Sequence, residues 1–370
     1  MIKNCTYSLL MVLTILVSCK NEPDDTIDIL VGTYTQNLGF VDGKGEGIYQ
    51  LKINLTQGIL ENSKLLKDNI ANPSFVKKVD NYVLAVSETS GDDRSPYGRV
   101  NILNEDMSGG RSFVTNGTAP CHIGVSLFGE IFGVANYNGG TLIFYALDRD
   151  LEPVFPKVFN FQCEKTAHPR QDASHIHSVK FSPDGEHIAS ADLGCNVVRI
   201  FKWKNNNITY DPEISFRIPE GCGPRHLDWN TNGDYFVVSC ELSNEVLAYR
   251  LSNPGVVLSK VPTLPTDYKG SNSVSDIHFH PNNKYVYVAN RGHNSIAVMS
   301  WSENGKLTVL SHHDTKGKTP RNFMITKDGK YLLAANQDSD NITIFTIQDD
   351  GTLVYKNQIE AKTPVCLEQI

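Results

Sequence analysis

The chain has 370 residues, 40% hydrophobic and 20% charged, a composition of folded globular proteins that lies well outside the disordered range. Its formal net charge of −7 excludes a broad nucleic-acid-binding surface, which needs clustered basic residues, but leaves room for a small basic pocket inside an acidic shell. The length suits two ordinary domains or one large all-β domain.

At the N-terminus, Lys3 and the apolar run from Tyr7 to Val17 read as the charged and hydrophobic regions of an export signal. The run is too short for a membrane span. Leu16-Val17-Ser18-Cys19 resembles the bacterial lipobox. Residues 1–18 are therefore expected to be a lipoprotein signal peptide, with Cys19 the lipidated first residue of the mature chain. Residues 19–27, through Asn21-Glu22-Pro23-Asp24-Asp25, read as a polar tether.

Residues 28–370 read as one repeating domain. Four copies are plain, beginning at His177, Arg225, Asp276 and Arg321. Each has a strand, a polar turn, a second alternating strand, a loop and a third β-branched strand. The turns Pro183-Asp184-Gly185, Asn232-Gly233, Pro281-Asn282-Asn283 and Asp328-Gly329 supply residues that tolerate positive φ, as tight hairpins require. Helical periodicity is absent, so the class is all-β. Polar residues end the second strands at Glu88, Asn136, Asp192, Glu241, Asn290 and Asn336. Their spacing of about 46–56 residues is that of a four-stranded propeller blade.

A seventh copy opens the domain, where Ile29 to Thr33 matches a second strand and Gly47 to Leu51 a third. Its first strand is missing. Thr363-Pro364-Val365-Cys366 at the other end matches the first-strand openings at Asn72-Pro73-Ser74-Phe75 and Ala119-Pro120-Cys121-His122. The sequence thus predicts a seven-bladed β-propeller closed by pairing the C-terminal strand with the N-terminal blade. Closure removes the exposed edges on which chains would associate, which points to a monomer.

Of the eight cysteines, Cys5 leaves with the signal and Cys19 carries lipid. The remaining six show no CxxC pair, so no zinc site is expected. Most are expected to be buried small hydrophobes. Similar positions in successive repeats suggest a bridge among Cys195, Cys222 and Cys240.

First strands line the central channel of a propeller, so equivalent openings form a ring. One ring position holds Phe75, His122, His177, His226, His278, Asn322 and Cys366, and the preceding one includes Cys121, Arg225 and Arg321. Glu88, Tyr137, Glu241, Arg291 and His293 follow second strands and border the same channel end. Arginine recognises carboxylate or phosphate through a planar fork of donors, and histidine and glutamate carry protons. A small anion undergoing acid–base chemistry is implied. His122 and His226 could instead hold the ring together by hydrogen bonds, Arg225 and Glu241 could form a structural ion pair, and Asp192 could bond loop amides.

Several segments in order resemble the seven-bladed lactonase family, which includes bacterial 6-phosphogluconolactonases and fungal carboxymuconate cycloisomerases. They are Val31-Gly32-Thr33-Tyr34-Thr35, Pro120-Cys121-His122, Ala135-Asn136-Tyr137-Asn138-Gly139-Gly140, His175-Ile176-His177-Ser178, Gly223-Pro224-Arg225-His226 and Ala289-Asn290-Arg291-Gly292-His293. The resemblance implies catalytic roles for His177, Arg225, Glu241 and Arg291. His122, His226, His278, His293, Arg321 and Glu88 are expected to bind substrate. The activity expected is cofactor-independent and metal-free opening of a small anionic sugar lactone, with 6-phosphogluconolactone the family default and either His177 or Glu241 the base. The alternatives are a cycloisomerase on a carboxylate substrate and a propeller that binds a ligand or protein without catalysis. The expected location is the bacterial cell envelope, with the membrane contacted through the N-terminal lipid.

Overall fold

The computed structural model describes residues 26–90, 95–147, 153–205 and 207–370. The expected signal peptide, the expected Cys19 lipidation site and residues 19–25 of the expected tether lie outside the described residues. Thr26 and Ile27, expected in that tether, instead open the first strand, where they pair with Asn54 and Ile53.

Among the described residues, twenty-eight strands form seven four-stranded antiparallel sheets, and Gln337–Ser339 is the one helical turn. Six sheets use four consecutive strands. The remaining sheet is the first blade in chain order and has the strand order β28-β1-β2-β3, built from β28 (Pro364–Gln369), β1 (Thr26–Thr33), β2 (Gly47–Asn54) and β3 (Ile59–Asp68). In its closing ladder Ile29 pairs with Gln369, Val31 with Leu367 and Gly32 with Cys366. A Cβ on Gly32 would lie 2.4 Å from the Pro73 carbonyl oxygen, so the next blade packs directly onto the seam.

Second strands are buried on both faces and read as continuous apolar runs, as in β9 (Ile131–Asn136) and β25 (Tyr331–Asn336), where every residue is buried. Fourth strands such as β27 (Leu353–Glu360) are largely exposed. The core is the set of interfaces between neighbouring sheets. Val237, Val246 and Ala248 of the fifth blade, for example, pack against Val274, Ile277, Val286 and Val288 of the sixth.

The turns between first and second strands behave as their composition predicts, with Gly185, Gly233, Asn283 and Gly329 all at positive φ. A second set of positive-φ residues opens the first strands, at Asn72, Ala119, Gly223, Thr319 and Thr363, each directly before a proline. Non-glycine residues held there cost roughly 1–2 kcal/mol each. They recur at the channel end where the chain must turn inward into the next blade.

The cysteines correct one expectation. Cys195 pairs with Cys163, and Cys222 with Cys240, while Cys121 and Cys366 are free and buried. Cys163 lies in the irregular connection between the third and fourth blades, where no repeat gave it an equivalent. The bridge that the repeat did suggest joins Cys222 and Cys240, whose Cα atoms are 4.9 Å apart.

Candidate active site

The end of the channel where second strands finish opens into a cavity of about 780 Å3. Glu88, Cys121, Tyr137, Arg170, His177, Glu241, Arg291 and Arg321 are among its lining residues. Arg225 and His226 lie just beneath, around a small void shared with His177 and Arg321.

Glu241 is the hub. It follows β17 (Tyr235–Cys240), and its side chain is 3% exposed. Oε1 accepts hydrogen bonds from Arg170 Nη1 and Arg291 Nη2, both at 2.7 Å, and Arg225 Nε lies 3.2 Å from Oε2. Burial alone would raise the Glu241 pKa, but Arg291, Arg225 and Arg170 together outweigh it and hold the carboxyl well below the usual carboxylate range. Glu241 is a carboxylate whose Oε1 is committed to Arg170 and Arg291, while its buried Oε2 carries no hydrogen bond and meets Arg225 only as an ion pair, an arrangement suited to holding three guanidinium groups around one carboxylate. Arg291 reaches this wall because Gly292 follows it at φ 126, where a Cβ would sit 2.2 Å from the Ser271 carbonyl oxygen.

His177 offers the complementary chemistry. It lies in β12 (Ile176–Phe181) and is buried, with Nδ1 3.8 Å from Cys121 Sγ. Burial, then the charge of Arg225, drives its pKa well below the ordinary histidine value. The imidazole is therefore neutral at neutral pH and able to accept a proton. Burial pushes the Cys121 thiol up, so it stays protonated.

The opposite wall carries a second charge group. Glu88 Oε2 accepts from the Tyr34 hydroxyl at 2.9 Å and the Ser74 hydroxyl at 2.5 Å. The Arg321 guanidinium lies over the Tyr34 ring, 5.2 Å from its centroid. Arg321, in β24 (Pro320–Ile325), has no hydrogen-bonded or ion-paired acceptor among the described residues. A guanidinium sequestered in a cavity without a protein acceptor is a ready site for a ligand anion.

The histidine ring divides by depth. His226 donates from Nδ1 to Asp276 Oδ1 at 2.7 Å and accepts at Nε2 from Arg225 Nη1 at 3.2 Å. Arg225 also donates to the Ser275 carbonyl at 2.8 Å. His226 is thus neutral, its pKa lowered to about 4 by burial and Arg225, and it orients Arg225 from below. His122 packs against Phe75 with the rings tilted and their centroids 4.1 Å apart, and meets His226 edge-on at 5.1 Å. His278 opens onto the other mouth of the channel, bonded to Asp276 Oδ2 at 3.0 Å. Burial opposes its charge, but Asp276 and Asp228 raise its pKa to about 9. His293 bonds Ser295 Oγ at 2.7 Å and packs edge-on to Tyr268, outside the cavity lining.

Of the expected substrate-binding residues, the structure therefore brings Glu88 and Arg321 to the cavity and places His122, His226, His278 and His293 elsewhere. The hydrogen-bonding role that was the rival reading of His226 is what the geometry displays. Asp192 likewise bonds the amides of His175 and Cys195 and pairs with Arg199 at 2.8 Å.

Arg170 was not anticipated. It sits in the connection before β12 and reaches the Tyr137 hydroxyl at 2.9 Å as well as Glu241. The blade repeat has no counterpart for that connection, so aligned ring positions could not reveal it.

A family profile described as "Lactonase, 7-bladed beta-propeller" matches residues 28–369. A 6-phosphogluconolactonase of Bacillus subtilis is 29% identical over 349 residues, covering 91% of this chain and 97% of the relative. A 6-phosphogluconolactonase of Formosa agariphila is 32% identical over 323 residues, covering 83% and 90%. The solved periplasmic gluconolactonase of Pseudomonas aeruginosa superposes with a TM-score of 0.82 at 24% identity, covering 93% of this chain and 99% of that one, and shares the fold.

Proposed function

Since the chain belongs to the seven-bladed β-propeller lactonase family, we propose that it hydrolyses a small anionic sugar lactone, as its 6-phosphogluconolactonase relatives are named to do. The observation that carries the mechanism is the contrast between a neutral buried His177 and a Glu241 carboxylate already bound by arginines. That contrast favours His177 as the base.

In this mechanism His177 takes a proton from water as its oxygen attacks the lactone carbonyl carbon. The carbonyl becomes a tetrahedral oxyanion, stabilised by Arg291 on the Glu241 wall and by the charge of Arg225 beneath it. A donor placed for such an oxyanion contributes about 3–4 kcal/mol to lowering the barrier. Collapse breaks the bond from the carbonyl carbon to the ring oxygen, which takes the proton back from His177 and leaves as a hydroxyl. The acid product loses its own proton to solvent. Arg321 anchors the substrate's anionic group at the far wall, against Tyr34. None of these steps draws on a cofactor.

The two disulfides suit an oxidising compartment and so support export. The fuller location we propose is a monomer held to the cell envelope by lipid on Cys19.

The test is hydrolysis of a panel of aldonolactones, with and without a 6-phosphate, by the soluble form that starts at Lys20. Acid release above the spontaneous rate supports the reading. Release at the spontaneous rate for the whole panel contradicts it.

A further inference from the structure

The segment from Phe161 to His175 links the third and fourth blades and carries Arg170 over the cavity. Its two halves are held differently. At the C-terminal end Gln171 is fully buried, and its Nε2 donates to the Leu193 carbonyl and Asn196 Oδ1, both at 2.8 Å. In the preceding half, Gln162, Glu164, Lys165, Ala167 and Pro169 are exposed. There Cys163 is bonded to Cys195, with Cα atoms 5.6 Å apart.

Cys195 is a firm anchor. It lies in the turn between β13 (His187–Asp192) and β14 (Val197–Lys204), and its amide donates to buried Asp192, which also takes the His175 amide and the Arg199 guanidinium. The bridge therefore ties the exposed half of the segment to the best-braced turn beside it. Arg170, at the end of that half, contacts Tyr137 of the third blade and Glu241 of the fifth, spanning the fourth blade between them.

We infer that the Cys163–Cys195 disulfide is a positioning element of the site, which holds Arg170 in place so that its guanidinium completes the anion-binding wall at Glu241. The bridge thereby couples substrate affinity to the oxidation state of the compartment. This rests on the lactonase reading only for its activity readout.

The test is a double-mutant cycle of Arg170→Ala against Cys163→Ser/Cys195→Ser in the soluble form, with the Cys222–Cys240 bridge intact. Arg170→Ala should raise KM about tenfold with kcat nearly kept, the size of one charge-assisted hydrogen bond. Removing the bridge should raise KM comparably, and the combination should be no worse than Arg170→Ala alone. Unchanged KM without the bridge, or losses that multiply, would overturn the inference, because a bridge acting on general stability would act independently of Arg170.

Hydrogen exchange supplies a second readout that needs no turnover. The Thr166 and Gln171 amides are bonded within the segment, to Gln171 and His168 carbonyls. Loss of the bridge should speed their exchange and make trypsin cleave after the already exposed Lys165 faster under native conditions. Equal protection with and without the bridge refutes the inference. A protein that opens no lactone yet loses this protection would refute only the lactonase reading.

Discussion

Replacing Glu241 with Gln keeps the shape of the hub and removes its charge. Arg225 and Arg291, whose side chains are 3% and 13% exposed, would then face each other without a counter-ion. Breaking a buried ion pair on one side costs about 3–5 kcal/mol. Arg170, 41% exposed, can turn to solvent and adds little to that cost. At roughly 2.1 cal/mol/K of unfolding entropy per residue, a domain of about 340 residues would lose about 4–7 °C in Tm.

The pH dependence gives the stricter test. Glu241 titrates lower in the folded chain than in the unfolded one, so its contribution is present above the unfolded value near 4.5 and fades as pH falls toward the depressed folded value. Calorimetry from pH 7 down to 3 should show a wild-type advantage over Glu241→Gln that is largest at pH 7 and narrows below about pH 4.5. A Gln variant as stable as wild type at pH 7, or a gap constant with pH, would refute the view of Glu241 as an arginine-bound carboxylate.

Other consequences follow from the same geometry. His177, with its pKa driven down by burial and Arg225, should leave kcat/KM undiminished as pH falls through 6.5, with the acid limb well below it; a limb centred at or above 6.5 would contradict a neutral His177 base. Arg321→Ala should raise KM roughly 10–100-fold for an anionic lactone and little for an uncharged one, the loss of one to two charge-assisted hydrogen bonds. Equal effects on both substrates would remove Arg321 from anion binding. His278, with a folded pKa of about 9, stabilises the fold fully below its unfolded value near 6.5, and that contribution is lost as pH rises through about 9. Thermal melts of His278→Gln should therefore converge on wild type between about pH 7 and 9 while lactone turnover is retained.

Blade number and closure were legible because Thr363-Pro364 repeats Asn72-Pro73 and Ala119-Pro120, down to a residue at positive φ before the proline. The Glu241 and Arg291 positions were legible for a related reason, since Glu241 follows and Arg291 ends a regular second strand whose end the polar residues mark. The histidines misled because first strands are not regular. Six of the seven ladders between first and second strands shift register near the cavity, as between Pro120 and His122, Pro224 and Leu227, and Pro320 and Asn322. Such bulges re-aim side chains, so equal ring positions need not share a direction. His177 comes to face the cavity while His226 turns beneath it and His278 faces the far mouth. Arg170 and Cys163 were illegible for another reason, because their segment occurs once in the chain and its course is fixed by its bridge and by bonds to Leu193, Asn196, Tyr137 and Asp192 rather than by the blade repeat.

The most direct single measurement is the rate of acid release from 6-phosphogluconolactone by wild type and by His177→Ala at neutral pH, followed against spontaneous opening. Wild-type turnover that falls about 10²–10⁴-fold in the variant is the result expected of a histidine base at an arginine-lined lactone site. Turnover that survives the substitution would remove His177 from the chemistry, and no turnover in either protein would contradict hydrolysis of that lactone altogether.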